Sequence, residues 1–228
     1  SLLDRDVFYP VLGHFIGKNT GSAIPVVQGL PSGVNEDRLK ALGAAAASSG
    51  SVGMFHVVGV TPEAATLEDA FQGDAPREVI DVTIEKIIKS RDELSTVSNS
   101  KVGAVSLGTP HYSIHEIEKL FQLIDGNSIN PEVKFYVSTG RDVLTEASLR
   151  GLVKPLEEAG VIFVTDTCTY ITPIIEDVAR PVVTDSAKWA YYAPGNLGVD
   201  VIFAAVEDCV ASAISGSVSV DSKIWSGA

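Results

Sequence analysis

The segment Val161-Ile162-Phe163-Val164-Thr165-Asp166-Thr167-Cys168-Thr169 decides the fold class of this chain. Its first four residues form a short apolar run that predicts a buried strand. The next five bring three hydroxyls, a carboxylate and a thiol to the carboxyl end of that strand. In open α/β sheets ligands bind at that end, so the segment indicates both a sheet and a place for a site. The alternative is a polar turn that contains a buried, inert cysteine.

Strands and helices alternate on both sides of this segment. Strands are predicted at 102–107, 133–137, 161–164 and 199–205. Ser113 and Glu116 form a capping box that predicts a helix, and further helices are predicted before 160, after Ser186 and at 207–214. Pro155 interrupts the helical spacing before 160, which predicts a kink or a break there. The alternation predicts a three-layer, mostly parallel α/β sheet over residues 101–228.

Residues 1–70 carry a different pattern. A glycine-rich segment at 13–21 precedes an alanine-rich helix near 38–47 and one strand at 52–60. These elements are too few to close a sheet, so we expect a partial α/β unit. Residues 71–100 are charged and predict a helical connection. The glycines resemble a phosphate-binding loop but lack the GxxxxGK[ST] spacing, so they predict no nucleotide site.

Composition narrows the functional classes. The 228 residues can bury a full core, and the formal net charge of −12, with no basic patch, argues against nucleic acid and anionic membranes as partners. No apolar run approaches the roughly 20 residues of a membrane span, and the first residues lack the pattern of a signal peptide. Two cysteines are too few for a disulfide framework, and the histidines make no zinc-binding spacing. We therefore expect a reducing, cytoplasmic setting and a core thiol at Cys209, which lies on a predicted helix.

Polar side chains gather where the predicted strands end. They lie in the segments 108–113, 138–141, 165–169 and 184–188. The carboxyl ends of parallel strands lie along the same edge of a sheet, so we expect these segments to meet there. We call the four segments together the strand-end edge. Helix N-termini at Ser113 and Ser186 would add N–H groups that attract an anion. The strand-end edge therefore predicts a site for a small anionic substrate.

Several residues of the strand-end edge are candidates for substrate binding. Arg141 can hold a carboxylate or a phosphate bidentately, and Lys188 can supply a point charge. The remaining candidates are the imidazole and the hydroxyls of the same segments, namely His111, Thr139, Thr167 and Thr169.

Many of these residues also have a purely structural interpretation. Ser113 and Ser186 can serve only as helix caps. Arg141 can be a solvated loop residue, and His111 can pack in a turn. Lys188 can extend over neighbouring aromatic side chains.

Four strings of the sequence together resemble the aconitase X family. They are YPVLGHFIGK at 9–18, GTPHYS at 108–113, DTCTY at 166–170 and DSAKWAYY at 185–192, and they occur in consistent order over nearly the whole chain. The resemblance implies an aconitase-like α/β fold within a larger enzyme. It also implies a dehydratase that acts on cis-3-hydroxy-L-proline or on mevalonate 5-phosphate.

The resemblance further implies a cofactor and additional segments. Family members hold an iron–sulfur cluster or iron through cysteines, and Cys168 is the one ligand that carries over. They have a long segment before the motif at Tyr9, including another cysteine ligand, and a small swivelling domain that completes the active site. The chain thus matches the C-terminal part of the large domain, and an N-terminal segment would complete residues 1–70.

The branch and the reaction are also implied by the resemblance. Thr109 stands where the archaeal branch has a cysteine, which favours the hydroxyproline branch. The implied reaction is a β-elimination in which iron assists departure of the 3-hydroxyl, a base removes the proton beside the carboxylate, and Δ1-pyrroline-2-carboxylate forms. The candidates for proton transfer or substrate contact are Ser113, Ser138, Ser186 and Lys188, and the sequence does not choose the base.

Two other functional classes stay open at this point. Cys168 as a nucleophile with His111 as its base would make a thiol hydrolase, although papain-like and caspase-like signatures are absent. The chain can also be a non-catalytic fragment that binds a partner chain. Iron in the whole protein would favour the dehydratase, whereas rapid alkylation of Cys168 in a colourless protein would favour the hydrolase.

Overall fold

The chain divides into two units that differ in secondary structure. The computed structural model describes residues 1–98, 101–175 and 179–225. Within these ranges the first unit comprises residues 1–92 with Ile224 and Trp225, and the second comprises residues 93–223. The first unit extends to Asp92 because the helix that ends there packs against the first long helix. Residues 99–100 of the predicted connection, and 176–178 and 226–228 of the predicted sheet domain, lie outside the described residues.

The first unit is mainly helical. Its elements are a 3₁₀ helix (Leu2–Asp4), α1 (Phe8–Thr20), β1 (Val26–Val27), α2 (Glu36–Gly50), β2 (His56–Val57), α3 (Leu67–Phe71) and α4 (Ile84–Asp92). β1 and β2 pair in parallel. The strand predicted at 52–60 was therefore too long, because the Thr61 hydroxyl bonds to both backbone groups of Val57 and turns the chain there.

The glycine-rich segment is one face of a helix. Gly13 and Gly17 lie one turn apart in α1, which packs closely along α2. A Cβ atom on Gly13 would come within 2.1 Å of the carbonyl oxygen of Leu42, and one on Gly17 would come within 2.1 Å of the Ser49 hydroxyl. Glycine at these two positions lets the helix backbones approach each other. Helix packing thus accounts for the pattern that resembles a phosphate loop.

The second unit contains a five-stranded parallel sheet. Its elements are β3 (Ala104–Tyr112), α5 (Ile114–Ile124), β4 (Lys134–Thr139), α6 (Arg141–Leu149), α7 (Val153–Ala159), β5 (Val161–Thr165), β6 (Val182–Thr184), α8 (Ala187–Leu197), β7 (Val201–Phe203) and α9 (Val206–Ser215). A 3₁₀ helix (Ser222–Trp225) begins in this unit, and its last two residues belong to the first unit. The strand order is β5-β4-β3-β6-β7, and each neighbouring pair is parallel. The predicted parallel α/β class is confirmed.

The two faces of the sheet differ in polarity, because alternate strand residues point to opposite sides. Val105 and Leu107 belong to an apolar cluster that also includes side chains of α5, α6, α7 and α9. Ser106 and Thr184 lie on the opposite face and are buried there. Helix α8 covers that face through the buried Trp189. The sheet is therefore the middle of three layers, with hydroxyl side chains beneath α8.

Helix ends show where local sequence was sufficient. The capping box predicted for α5 is present, with the Glu116 N–H 3.2 Å from the Ser113 hydroxyl oxygen and the Ser113 N–H 2.8 Å from the Glu116 carboxylate. The break predicted at Pro155 lies instead at 150–152. Pro155 lies in the first turn of α7, where its missing N–H leaves no helical hydrogen bond unmade.

Two strand predictions need correction. β7 covers Val201–Phe203 instead of 199–205, and the strand Val182–Thr184 was missing from the prediction. Three residues between a proline and an aspartate are too few to show a period, and β6 forms because both neighbouring strands pair with it. Among the described residues, no helix combines the length and apolar character that crossing a lipid bilayer requires.

Candidate active site

The strand-end edge forms as predicted. The Nε2 atom of His111 lies 3.1 Å from the Thr167 carbonyl oxygen, which joins the end of β3 to the segment after β5. The Ser186 hydroxyl, at the start of α8, donates to the Thr109 carbonyl oxygen. The first residue of α6 bonds to the segment after β5 as well. All four predicted segments therefore lie at the same end of the sheet, beyond the carboxyl ends of its strands.

Arg141 is paired within the chain. Its Nε and Nη2 atoms both lie 2.5 Å from Oδ2 of Asp166, and its backbone N–H lies 3.1 Å from Oδ1. Hydrogen bonding from Arg141 holds the pKa of the Asp166 carboxyl below its ordinary value. The carboxylate also stabilises the N-terminus of α6. Arg141 can bind a substrate anion only by sharing its charge with Asp166.

Thr169 is the centre of a buried hydrogen-bond network. Its hydroxyl oxygen accepts a hydrogen bond from Nε1 of Trp189 at 2.8 Å and lies 2.7 Å from the hydroxyl oxygen of Ser106. Thr169 and Trp189 are completely buried, and Ser106 is buried as well. The network connects the segment after β5 to β3 and to α8.

Two other threonine candidates also bond within the chain. The Thr139 hydroxyl donates to the carbonyl oxygen of Tyr112 at 2.7 Å and is buried. The hydroxyl oxygen of Thr167, which is partly exposed, lies 2.6 Å from that of Thr172. Both hydroxyls stabilise the strand-end edge where regular strand pairing stops.

The three candidate serines differ in what they contact. The Ser113 hydroxyl caps α5, and the Ser186 hydroxyl caps α8 by accepting a hydrogen bond from the Trp189 N–H at 3.0 Å. Ser138 is completely buried on β4, and its hydroxyl has no hydrogen-bond partner among the described residues. The buried hydroxyl of Thr109 is in the same situation. Buried polar groups without partners are rare in proteins, so each of them calls for an explanation.

Two side chains of the strand-end edge, a thiol and an ammonium group, are available to bind a ligand. The Cys168 thiol is partly exposed, and Lys188 lies in the first turn of α8 and is also partly exposed. Within the described ranges, neither side chain makes a hydrogen bond or an ion pair. The first turn of α8 contains no acidic residue, and the acid nearest to it in sequence is Asp185, directly before the cap Ser186.

Asp185 is an acid that the sequence analysis did not single out. The Tyr112 hydroxyl donates to its carboxylate. Burial raises the pKa of Asp185 to about 6, although the hydrogen bond from Tyr112 acts in the opposite direction. Burial, together with the neighbouring Asp185 carboxylate, raises the pKa of Tyr112 well above its ordinary value. The only signal in the sequence was an aspartate immediately before the helix cap Ser186, a position typical of many structural aspartates.

The described residues do not form a metal site by themselves. None of their histidine, cysteine and acidic side chains form a group of three that could hold a metal ion. Cys168 is one candidate ligand. Cys209 is completely buried on α9, and burial raises the pKa of its thiol well above the ordinary value, so the predicted core thiol is confirmed. A complete ligand set would need donors in addition to those described.

Comparison with known proteins decides the family. Residues 2–92 match the family model described as the aconitase X second domain, and residues 102–215 match the aconitase X third domain. The chain belongs to the aconitase X family.

Several curated aconitase X relatives are similar over most of the chain. The cis-3-hydroxy-L-proline dehydratases of Pseudomonas aeruginosa and Hypocrea jecorina are 39% and 40% identical and cover 96% and 92% of this chain. The phosphomevalonate dehydratase large subunit of Methanothermobacter thermautotrophicus is 38% identical and covers 86%. The chain spans only 38%, 36% and 47% of these three proteins, respectively.

The fold of this aconitase X chain also matches a solved structure. The crystal structure of Thermococcus kodakaraensis aconitase X in its holo-form superposes with a TM-score of 0.79 at 26% identity. The match covers 93% of this chain and 52% of that chain. The aconitase-like fold implied by the sequence is therefore confirmed.

The contact of His111 bears on the thiol hydrolase alternative. A carbonyl oxygen only accepts hydrogen bonds, so the Nε2 atom that faces the Thr167 carbonyl carries a hydrogen. A general base for Cys168 would need a lone pair on the nitrogen that faces this segment. This geometry argues against His111 as the base of a thiol hydrolase at Cys168.

The unpartnered Ser138 hydroxyl leads to a prediction about stability. Ser138→Ala removes a buried hydroxyl that lacks a partner, so we expect the free energy of unfolding to rise by about 1 kcal/mol. Ser106→Ala, on the same face of the neighbouring strand, deletes a partner of Thr169 and should lower it by about 1 to 2 kcal/mol. Urea unfolding followed by circular dichroism measures both. Equal destabilisation by the two substitutions would contradict the prediction.

The raised pKa of Asp185 predicts a specific pH dependence. Native Asp185 binds its proton more tightly than the unfolded chain does, so the free energy of unfolding falls as the pH rises from about 4 to about 6. Asp185→Asn removes this penalty and keeps an acceptor for the Tyr112 hydroxyl. We expect the variant to be more stable by about 1 to 3 kcal/mol at pH 7, with the difference vanishing near pH 4 in urea unfolding.

A carboxyl whose pKa is lowered provides the control. Hydrogen bonding from Arg150 lowers the pKa of Glu118, which lies on α5. Glu118→Gln should therefore lower the free energy of unfolding at pH 7, and the difference should fade as the pH falls below 4. A pH profile of the same sign for both variants would contradict the assignment of Asp185.

Proposed function

We propose that this chain works as part of a longer aconitase X protein that dehydrates cis-3-hydroxy-L-proline to Δ1-pyrroline-2-carboxylate. The proposal rests on the 39% identity, across 96% of this chain, to the Pseudomonas aeruginosa protein named as that dehydratase. Because the chain spans 38% of that protein, we assign the remaining parts of the active site to segments outside this chain.

Besides a base for the C2 proton, the chemistry sets two requirements for the site. A base takes the proton from C2, beside the carboxylate, while the 3-hydroxyl leaves with a proton as water. Tautomerisation then shifts the double bond from C2 and C3 to C2 and the ring nitrogen, which gives the cyclic imine. The site must therefore fix the carboxylate beside the developing negative charge at C2 and provide a proton donor near the 3-hydroxyl.

Lys188 and the N-terminus of α8 are suited to fix the carboxylate. Among the described residues Lys188 has no ion-pair partner, and the first turn of α8 contains no acidic residue. An ammonium group beside free N–H groups attracts a carboxylate. Arg141 can join them only by sharing its charge with Asp166.

The hydroxyl candidates have different proposed roles. Proton transfer or substrate contact stays the proposed role of Ser138, whose hydroxyl has no hydrogen-bond partner in the described part of the chain but is completely buried and would first have to be uncovered. Ser113 and Ser186 already cap helices and are assigned to holding the strand-end edge. Four candidates for substrate contact already make hydrogen bonds within the chain: His111, Thr139, Thr167 and Thr169. Their proposed contacts with the substrate would be additional to these hydrogen bonds.

Dehydration of mevalonate 5-phosphate is the second candidate function. It is favoured by the 38% identity to the phosphomevalonate dehydratase large subunit of Methanothermobacter thermautotrophicus over 86% of this chain. A phosphate dianion carries more charge than one carboxylate and is usually held by several cations. In the described strand-end edge Arg141 is shared with Asp166, which leaves Lys188 as the available cation. A monocarboxylate substrate fits this charge better.

We also propose that the longer protein holds iron or an iron–sulfur cluster and that Cys168 is one ligand. The thiol is partly exposed and lies beside the other strand-end segments. One thiolate cannot hold a cluster tightly, so we assign the remaining ligands to segments outside this chain, among them the N-terminal segment that the family resemblance implies. The small swivelling domain is the other expected partner segment, and the cytoplasmic setting stays a prediction.

The proposed function predicts a difference between the longer protein and this chain. We expect the longer protein to convert cis-3-hydroxy-L-proline to Δ1-pyrroline-2-carboxylate, measured by ¹H NMR, and the 228-residue chain alone to form no product above background. Lys188→Gln in the longer protein should raise KM by about tenfold or more because a charged hydrogen bond to the carboxylate is lost.

The control is Lys154→Gln, which removes an exposed lysine on α7 and should leave KM unchanged. Turnover of mevalonate 5-phosphate without turnover of hydroxyproline would keep the family and overturn the proposed substrate. Full activity of the isolated chain would contradict the assignment of site residues to other segments.

The proposed ligand role of Cys168 predicts a difference between the two cysteines. In the longer protein, Cys168→Ser should remove most of the bound iron, whereas Cys209→Ser should retain it because Cys209 is buried in the apolar core. Elemental analysis of iron per protein measures both variants. Equal loss in both, or loss in neither, would show that the assignment is wrong.

A further inference from the structure

Cys168 directly precedes the most firmly anchored residue of its segment. The Thr169 hydroxyl accepts a hydrogen bond from the Trp189 indole at 2.8 Å and lies 2.7 Å from the Ser106 hydroxyl oxygen. Thr169 and Trp189 are completely buried, and Ser106 is 1% exposed. The backbone on the C-terminal side of Cys168 is therefore tied to α8 and to β3.

Further hydrogen bonds anchor the backbone on both sides of Cys168. The Cys168 carbonyl oxygen accepts hydrogen bonds from the N–H groups of Ile171 and Thr172, each at 3.1 Å, which closes a tight turn. The Thr167 carbonyl oxygen accepts a hydrogen bond from His111 at 3.1 Å, and the Thr167 hydroxyl bonds to that of Thr172. The thiol itself makes no hydrogen bond within the described ranges. The hydrogen bonds around Cys168 therefore fix its backbone and do not involve the thiol.

Of the hydrogen bonds that hold this segment, the one from Trp189 to Thr169 costs the most free energy to break. An indole N–H only donates, and Trp189 is the largest completely buried side chain among the described residues. If Thr169 moved away, the N–H would be left unpaired where water cannot reach it. The partly exposed Thr167 side of the segment can exchange its hydrogen bonds with water more easily.

We propose that Trp189 is a positioning residue for the Cys168 thiol and acts through the Thr169 hydroxyl. Its importance for catalysis rests on the proposed function, in which Cys168 is a metal ligand. The fixing of the thiol requires no metal and can be measured on this chain. A thiol whose backbone is held in one place loses less entropy when it binds a ligand, which is the advantage that such support gives to a site.

Alkylation of the native 228-residue chain by iodoacetamide, followed by mass spectrometry at each cysteine, tests the proposal. Trp189→Phe removes the N–H and keeps an aromatic ring, and Thr169→Val removes the hydroxyl with little change of shape. Both should raise the second-order alkylation rate of Cys168 by about threefold or more, because the segment opens locally. Thr169→Ser retains the hydroxyl and should restore the parent rate.

Cys209 is the internal control for a purely structural effect. It is completely buried, so it is alkylated only when the second unit opens as a whole. Trp225→Phe, which changes the chain's other tryptophan, should leave the ratio of the two rates unchanged. A proportional rise at both cysteines, or an unchanged or slower rate at Cys168, would overturn the proposal. Failure of the longer protein to dehydrate hydroxyproline would overturn the proposed function and leave this result standing.

Discussion

The strand-end edge depends on how the end of the central strand β3 is held. Regular pairing with β4 stops after Leu107 and resumes at Tyr112, so residues 108–111 lie opposite Ser138 alone. Gly108 has a φ of +83°, and a Cβ atom there would come within 2.0 Å of the Ser138 carbonyl oxygen. Only glycine allows β3 to leave the ladder this close to its neighbour. The extra residues carry His111 to the segment that contains Cys168.

Hydroxyl side chains replace the backbone hydrogen bonds that this irregular end gives up. Thr184 donates to the Ser106 carbonyl, and Thr139 donates to the Tyr112 carbonyl, each at 2.7 Å. Ser186 then bonds to the carbonyl of Thr109 and caps α8 at the same time. Each of these oxygens satisfies a backbone group that would otherwise be buried without a partner. Most hydroxyls of the strand-end edge are therefore required by the fold itself.

Local sequence patterns were sufficient to predict part of the strand-end edge. They did not predict the features that depend on residues far apart in the sequence. An apolar run followed by 165–169 was sufficient for a strand with a polar end, and Ser113 with Glu116 was sufficient for a helix start. The strand at 182–184 exists because β3 and β7 pair with it, and no local period records that pairing. The contacts of Arg141 and Asp185 likewise join residues 25 and 73 positions apart. Polar residues at the predicted strand ends were sufficient to locate the strand-end edge. Only the structure shows which of these side chains already make hydrogen bonds or ion pairs within the chain.

Four side chains of the strand-end edge combine reactivity, charge or burial with the lack of a hydrogen-bond partner among the described residues. They are the Cys168 thiol, the Lys188 ammonium group and the buried hydroxyls of Thr109 and Ser138. The two buried hydroxyls lower the stability of the fold, because they are removed from water without gaining a hydrogen bond. The thiol and the ammonium group are partly exposed, so both can bind a group from outside the chain. We infer that Cys168 and Lys188 have their partners in a metal centre, in the substrate or in further segments of a longer aconitase X protein.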